Sequence, residues 1–121
     1  MRVRKRDRAN LSPAYGIEGE RLLPWDALAA PFEGAWCVVR PGGESVAHEH
    51  HEHEIFIALA GRATLVVDGD AHEFAAGDIA HLPPGCTHRV VNDSAAEFEY
   101  YGIWWDTAMS ERFITSQEAV R

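Results

Sequence analysis

From Ala35 onward, short apolar runs alternate with Gly, Pro and Asp punctuation. Runs of this length with period-2 alternation read as strands, and turn signals every 8–12 residues or so read as an all-β sandwich or barrel. The pattern predicts eight strands, at roughly 35–40, 46–50, 54–60, 62–67, 71–75, 79–82, 87–92 and 97–105. Asp68-Gly69-Asp70 is a strong hairpin signal between the fourth and fifth, and Gly42-Gly43, Gly61, Gly77-Asp78 and Pro83-Pro84-Gly85 supply other turns. After the last strand, Asp106 or Thr107 can cap a short helix running through Ile114. Upstream, residues 11–34 hold three of the six prolines. They read as an irregular arm with one helical turn over Pro24–Ala30, and residues 1–10 as a solvated tail. The expected organisation is therefore a tail and arm over 1–34 and one β domain over 35–121.

A chain of 121 residues with 46% hydrophobic residues fits a single domain with a real core. No apolar run approaches the roughly 18 residues that would span a membrane. The N-terminus shows no secretory apolar region, so a cytoplasmic location is expected. Cys37 and Cys86 are far apart and suggest no disulfide framework. The net charge of −8 is uneven: Arg2, Arg4, Lys5, Arg6 and Arg8 are five of the eleven basic residues, and Ala9–Arg121 carries −12. Such a body repels a nucleic-acid backbone, so no nucleic-acid partner is expected.

The chemistry concentrates in His48-Glu49-His50-His51-Glu52-His53-Glu54, four histidines and three glutamates in seven residues. Residues two apart on a strand share a face, so His48 and His50 point the same way and can share a metal. The next strand opens at Glu54, whose carboxylate can return to the same point. His88, opening a strand after the Pro83-Pro84-Gly85 turn, is the candidate fourth ligand, with Val90 and Asn92 facing inward beside it. The competing reading is a polar, His-rich surface loop.

Gly42, His48, His50, Glu54 and Gly61 match the first cupin motif, G-x5-H-x-H-x3-E-x6-G, at every defined position. Gly77, Pro83, Gly85, His88 and Asn92 match the second, G-x5-P-x-G-x2-H-x3-N. The chain thus resembles the cupin superfamily over about residues 35–105. The resemblance implies a double-stranded β-helix, or jelly-roll barrel, whose mouth holds one divalent metal ion on His48, His50, Glu54 and His88. Zinc is the leading candidate, with Fe, Mn, Ni and Co as alternatives.

The remaining residues carry weaker signals. His51 and His53 sit at the rim, as proton carriers or simply solvated side chains. His72 and His81 read as outward-facing. Cys86 beside the mouth is a thiolate candidate or a small buried residue. Phe56 and Ala58 share the Glu54 face. On the last strand Phe98, Tyr100, Gly102 and Trp104 share one face, and Tyr101, Ile103 and Trp105 the other. Alternation leaves open whether Tyr100 or Tyr101 presents its phenol to the pocket. Tyr100, Tyr101 and His53 are the candidate catalytic proton carriers. Arg40 and Arg62 are candidates to grip a substrate carboxylate, or ordinary surface ion pairs.

Three imidazoles, one carboxylate and a divalent ion sum to +1, which favours a small substrate with an anionic group. The expected activity is non-redox Lewis-acid chemistry on an amino-acid-derived or carboxylate substrate. The ending Tyr101-Gly102-Ile103-Trp104-Trp105-Asp106 is similar to that of zinc-binding cupins of hydrazine-forming systems. That similarity implies N–N bond formation by rearrangement of an aminoacyl hydroxylamine ester, with an aminoacyl-synthetase-like partner enzyme. The alternatives are an Fe(II)-dependent dioxygenase and a non-catalytic small-molecule-binding cupin. Apolar residues in the arm (Trp25, Phe32) and on the last strand point to a homodimer.

Overall fold

The computed structural model describes residues 1–26 and 28–120. Among the described residues nine strands follow in chain order: β1 (Ser12–Ala14), β2 (Ile17–Arg21), β3 (Glu33–Val39), β4 (His53–Ala60), β5 (Arg62–Val67), β6 (Asp70–Ala75), β7 (Ile79–Leu82), β8 (His88–Val91) and β9 (Phe98–Trp105). Helix α1 (Thr107–Val120) ends the described chain. The strands form two antiparallel sheets, one ordered β1-β2-β3-β9-β4-β7 and one ordered β6-β5-β8.

The inward faces come from simple alternation. Glu54, Phe56 and Ala58 of β4 are buried, as are Ala63 and Leu65 of β5, His88 and Val90 of β8, and Phe98, Tyr100 and Gly102 of β9. Phe98, Val39, Val90 and Leu82 lie at the centre, each at most 1% exposed. The β5–β6 hairpin closes through Asp68 and Gly69 at φ 50° and 85°, the two positive angles that a two-residue type I′ turn needs.

The strands from β3 to β9 follow the sequence pattern closely, and other stretches differ from it. Residues 12–21, expected as irregular arm, form β1 and β2 and extend the larger sheet through pairs such as Glu18 with Val38. Their turn, Tyr15-Gly16 at φ 53° and 81°, is the same two-residue kind. Residues 46–50, expected as a strand, make only single bridges to β8: Glu44 with Val91 lies just before them and His48 with His88 within them. The ladder breaks because the Ser45 hydroxyl oxygen, rather than a backbone carbonyl, accepts from the Val90 amide at 2.8 Å. Over Pro24–Ala30 there is a turn closed by Leu28 N–H donating to the Trp25 carbonyl (2.8 Å) in place of a helical segment; Ala27 lies outside the described residues.

The basic N-terminus lies along the larger sheet. Arg6 pairs with Glu99 (2.9 Å) and sits over the Trp36 ring, Arg8 pairs with Glu97, and Arg4 sits 4.8 Å over Trp25. Helix α1 runs past the expected end at Ile114 to Val120, capped by the Asp106 carboxylate, which accepts from the Met109 amide at 2.7 Å. Among the described residues no helix is long and apolar enough to cross a membrane.

Candidate metal centre

Four backbone hydrogen bonds bring the histidine segment onto the barrel mouth. His48 N–H donates to the His88 carbonyl (3.2 Å) and His88 N–H to the His48 carbonyl (3.0 Å). Gly85 N–H donates to the His50 carbonyl (2.9 Å), tying this ligand to the Pro83–Gly85 turn. Ser45 N–H donates to Val90 (2.9 Å) just upstream. His48 and His50 therefore reach one face without a continuous strand between them.

The nitrogens of His48, His50 and His88 all lie within 4.8 Å of one another. Glu54, from the inner face of β4, places Oε1 3.1 Å from His50 Nε2 and 3.2 Å from His88 Nε2. Hydrogen bonds to the far nitrogens set the tautomers. His48 Nδ1–H donates to the Val46 carbonyl (3.0 Å) and His50 Nδ1–H to the Glu52 carbonyl (3.2 Å), which leaves each Nε2 lone pair directed at the common point. The contact most telling of a missing partner is at His88, whose side chain is 2% exposed and whose Nε2 is buried with no hydrogen-bond partner. An orphaned buried imidazole nitrogen costs about 1–3 kcal/mol, and a bound ion removes that cost. Three imidazoles are donors suited to first-row divalent ions, so the residues present fit a metal.

The centre opens into a cavity of about 640 Å³. Phe56, Tyr100, Gly102 and Trp104 form its floor, which settles the register of β9: the Phe98 face is inside. Trp104 is the cross-strand partner of Glu54. Tyr100 is wedged between Phe56 (ring centroids 4.6 Å) and Phe98 (5.7 Å) and pairs across the sheet with Cys37. Burial, then the neighbouring Cys37, push the Tyr100 phenol well above its ordinary range, so it stays protonated and acts as a donor. Burial likewise pushes the Cys37 thiol up to about 12. The β1–β2 hairpin makes the remaining wall, where Tyr15 stacks on His48 at 5.4 Å and 23°.

The other sequence candidates lie elsewhere. Tyr101 is on the opposite face of β9, half-buried; burial raises its pKa and Arg4 offsets part of that rise. His53 points to the outside of the larger sheet, stacked on Trp105 and His81. His51 is exposed and paired with Asp106 at 2.7 Å. Cys86 is buried against His88 Nδ1, with Sγ at 3.9 Å. Arg40 is held by Glu18 at 2.5 Å and Arg62 is exposed on β5. Among the described residues the arginine that lines the cavity is Arg21, its guanidinium 5.0 Å over the Trp104 ring. Reading residues 11–34 as irregular hid Arg21 and Tyr15; the signal for them was the Tyr15-Gly16 pair, an uncommon spelling of a hairpin turn.

Two packed antiparallel sheets with a histidine triad at the open end define a small β-barrel protein of the metal-binding kind. The chain belongs to the cupin family: the Cupin domain model matches residues 35–105. It is 52% identical to a Cupin 2 conserved barrel domain protein from Salinispora arenicola, over 96% of this chain and 98% of that one, with a TM-score of 0.91. It is 34% identical to quercetin 2,3-dioxygenase of Bacillus subtilis over 64% of this chain and 26% of that protein. It is 30% identical to dimethylsulfoniopropionate lyase DddW of Ruegeria pomeroyi over 65% of this chain and 53% of that protein. The chain thus spans between about a quarter and a half of the length of these two enzymes.

Proposed function

We propose that this protein is a metal-dependent enzyme performing non-redox chemistry on a small substrate with an anionic group. The observation that carries the reading is the orphaned Nε2 of His88, directed at the point where His48, His50 and Glu54 also converge. In this reading Glu54 is the fourth ligand and the ion, zinc first and Fe, Mn, Ni or Co as alternatives, supplies Lewis acidity to the bound oxyanion or carboxylate. Tyr100 donates a hydrogen bond to the substrate and does not act as a base, because its phenol holds its proton. Trp104 and Phe56 wall off water, and Arg21 faces a second polar end of the substrate from across Trp104. The sharpest version is N–N bond formation from an aminoacyl hydroxylamine ester delivered by an aminoacyl-synthetase-like partner. It rests on the similarity of residues 101–106 alone.

Turnover of amino-acid esters and small carboxylates by zinc-loaded protein under strict anaerobiosis is the test. Activity that appears only with Fe(II) and O₂ favours the second reading, a dioxygenase, which the quercetin 2,3-dioxygenase relationship supports. Ligand binding without turnover on either metal favours a binding module. The reading includes a cytoplasmic homodimer that covers Ile79, 69% exposed on β7 at the edge of the larger sheet.

A further inference from the structure

The seven-residue histidine cluster contains more imidazoles than the metal centre uses. His53 precedes Glu54 on β4, so its side chain leaves the barrel on the opposite face. In the β4–β7 register Ile55 faces His81, which makes His53 and His81 diagonal neighbours on the outer surface. On its other side His53 is directly opposite Trp105 of β9.

We propose that His53 and His81 form a second metal site, on the outside of the barrel, that binds one borderline divalent transition ion. His53 Nδ1 and His81 Nε2 face each other at 3.1 Å. Two imidazole nitrogens on one ion, each about 2.0–2.1 Å from it at tetrahedral to octahedral angles, lie about 2.9–3.4 Å apart. The separation falls in that range, and the exposed His81 ring has to turn its lone pair from His53 toward the ion for both nitrogens to bind it. Without an ion, one of the two nitrogens carries a proton and donates to the other. On binding, that imidazole shifts its proton to its far nitrogen, so two lone pairs become available and no net proton is lost.

The His53 ring is held in place. His53 lies between His81 (5.3 Å, 14°) and Trp105 (5.5 Å, 12°), a three-ring stack spanning β7, β4 and β9. Stacking on Trp105 orients the His53 ring, so chelation costs rotamer freedom mainly at the exposed His81. A cleft of about 380 Å³ lined by His51, His53 and Asp106 opens on the His53 side and leaves room for waters of coordination. Two imidazoles select Cu(II) over Ni(II) over Zn(II), and exclude Ca(II) and Mg(II), which need oxygen ligands. The site uses no side chain of the inner cavity and stands independently of the catalytic reading.

The experiment is equilibrium dialysis of the full chain against NiCl₂, with nickel per chain counted for wild type, His81→Ala and His81→Gln. His81 is exposed on an edge strand, so both variants fold. The expected result is one fewer nickel per chain in both variants than in wild type. Addition of CuCl₂ should quench the indole fluorescence of Trp105 in wild type and do so less in the variants. Equal nickel content in wild type and both variants overturns the proposal. A loss of all nickel in a variant when wild type holds two also overturns it, because the sites would then not be separate.

Discussion

His88 Nε2 lies 3.2 Å from the Glu54 carboxylate in the barrel interior, yet makes no hydrogen bond. The two groups approach each other as ligands of one ion do, side by side around a shared point. His88→Ala and Glu54→Gln are therefore expected to lose the inner metal, each by more than the ~10–100-fold that a supporting contact costs. His51→Ala, which removes an exposed ring, is expected to keep it. Metal analysis after dialysis checks this, and equal retention in all three variants would sink the ligand assignment.

The cavity thiol predicts an alkaline limb in stability. Burial raises Cys37 from 9.0 to about 12, so the folded state favours the protonated form. A group whose folded pKa is raised contributes fully below its unfolded value and loses that contribution as pH rises through the folded value. The melting temperature should fall between pH 9 and pH 11 more steeply for wild type than for Cys37→Ser, which has no thiol to ionise. Parallel curves would show that Cys37 is not buried as described.

Asn92 shows how the second motif holds itself together. Its side chain is fully buried; Nδ2 donates to the carbonyls of Val39 (3.0 Å) and Ala96 (2.8 Å), and Oδ1 accepts from the amide and hydroxyl of Ser94. Asn92→Ala leaves these partners unsatisfied and is expected to cost about 2–4 kcal/mol in urea unfolding. A cost below about 1 kcal/mol would mean that water replaces the side chain.

Gly61 and Gly69 separate backbone strain from collision. Both have positive φ, 79° and 85°. A Cβ at Gly61 would stand 2.4 Å from the Glu97 carbonyl oxygen, whereas one at Gly69 meets nothing within 4 Å. Gly69→Ala is expected to cost about 1–2 kcal/mol from the left-handed backbone alone, and Gly61→Ala markedly more. Denaturant melts of the two variants decide the order.

Light scattering checks the dimer. The expected mass is twice that of the chain, and Ile79→Glu, at the exposed edge of the larger sheet, is expected to halve it. A wild-type monomer at working concentration would leave the barrel intact and remove the dimer.

The barrel was legible because strands β4, β5, β8 and β9 each bury one face, so burial leaves a period-2 record in the sequence, and turn residues mark the bounds of the others. The metal centre was legible because its spacing, not its local structure, carries the information: His48 and His50 converge although no continuous strand joins them. Strands β1 and β2 were not legible. Their residues are half-buried or exposed and they contain Pro13 and Gly19. Their turn places a tyrosine at φ 53°, where an asparagine would have announced a hairpin. Alternation defined the two faces of β9 but could not say which was inside; packing of Phe98 and Tyr100 into the core decides that.

Residues 12–21 supply none of the four groups at the metal centre, yet Glu18 and Arg21 line the same cavity and Tyr15 stacks on His48. In the proposed function, ligation of the ion and part of the recognition of substrate are thus written in separate stretches of chain. The hairpin joins the barrel by backbone pairing to β3, which tolerates many side chains. Descendants of this gene are free to trade one hairpin for another and meet a new molecule with the same ion. Divergence of substrate within such a lineage would then be recorded in the first two dozen residues, while the histidines stayed silent about it.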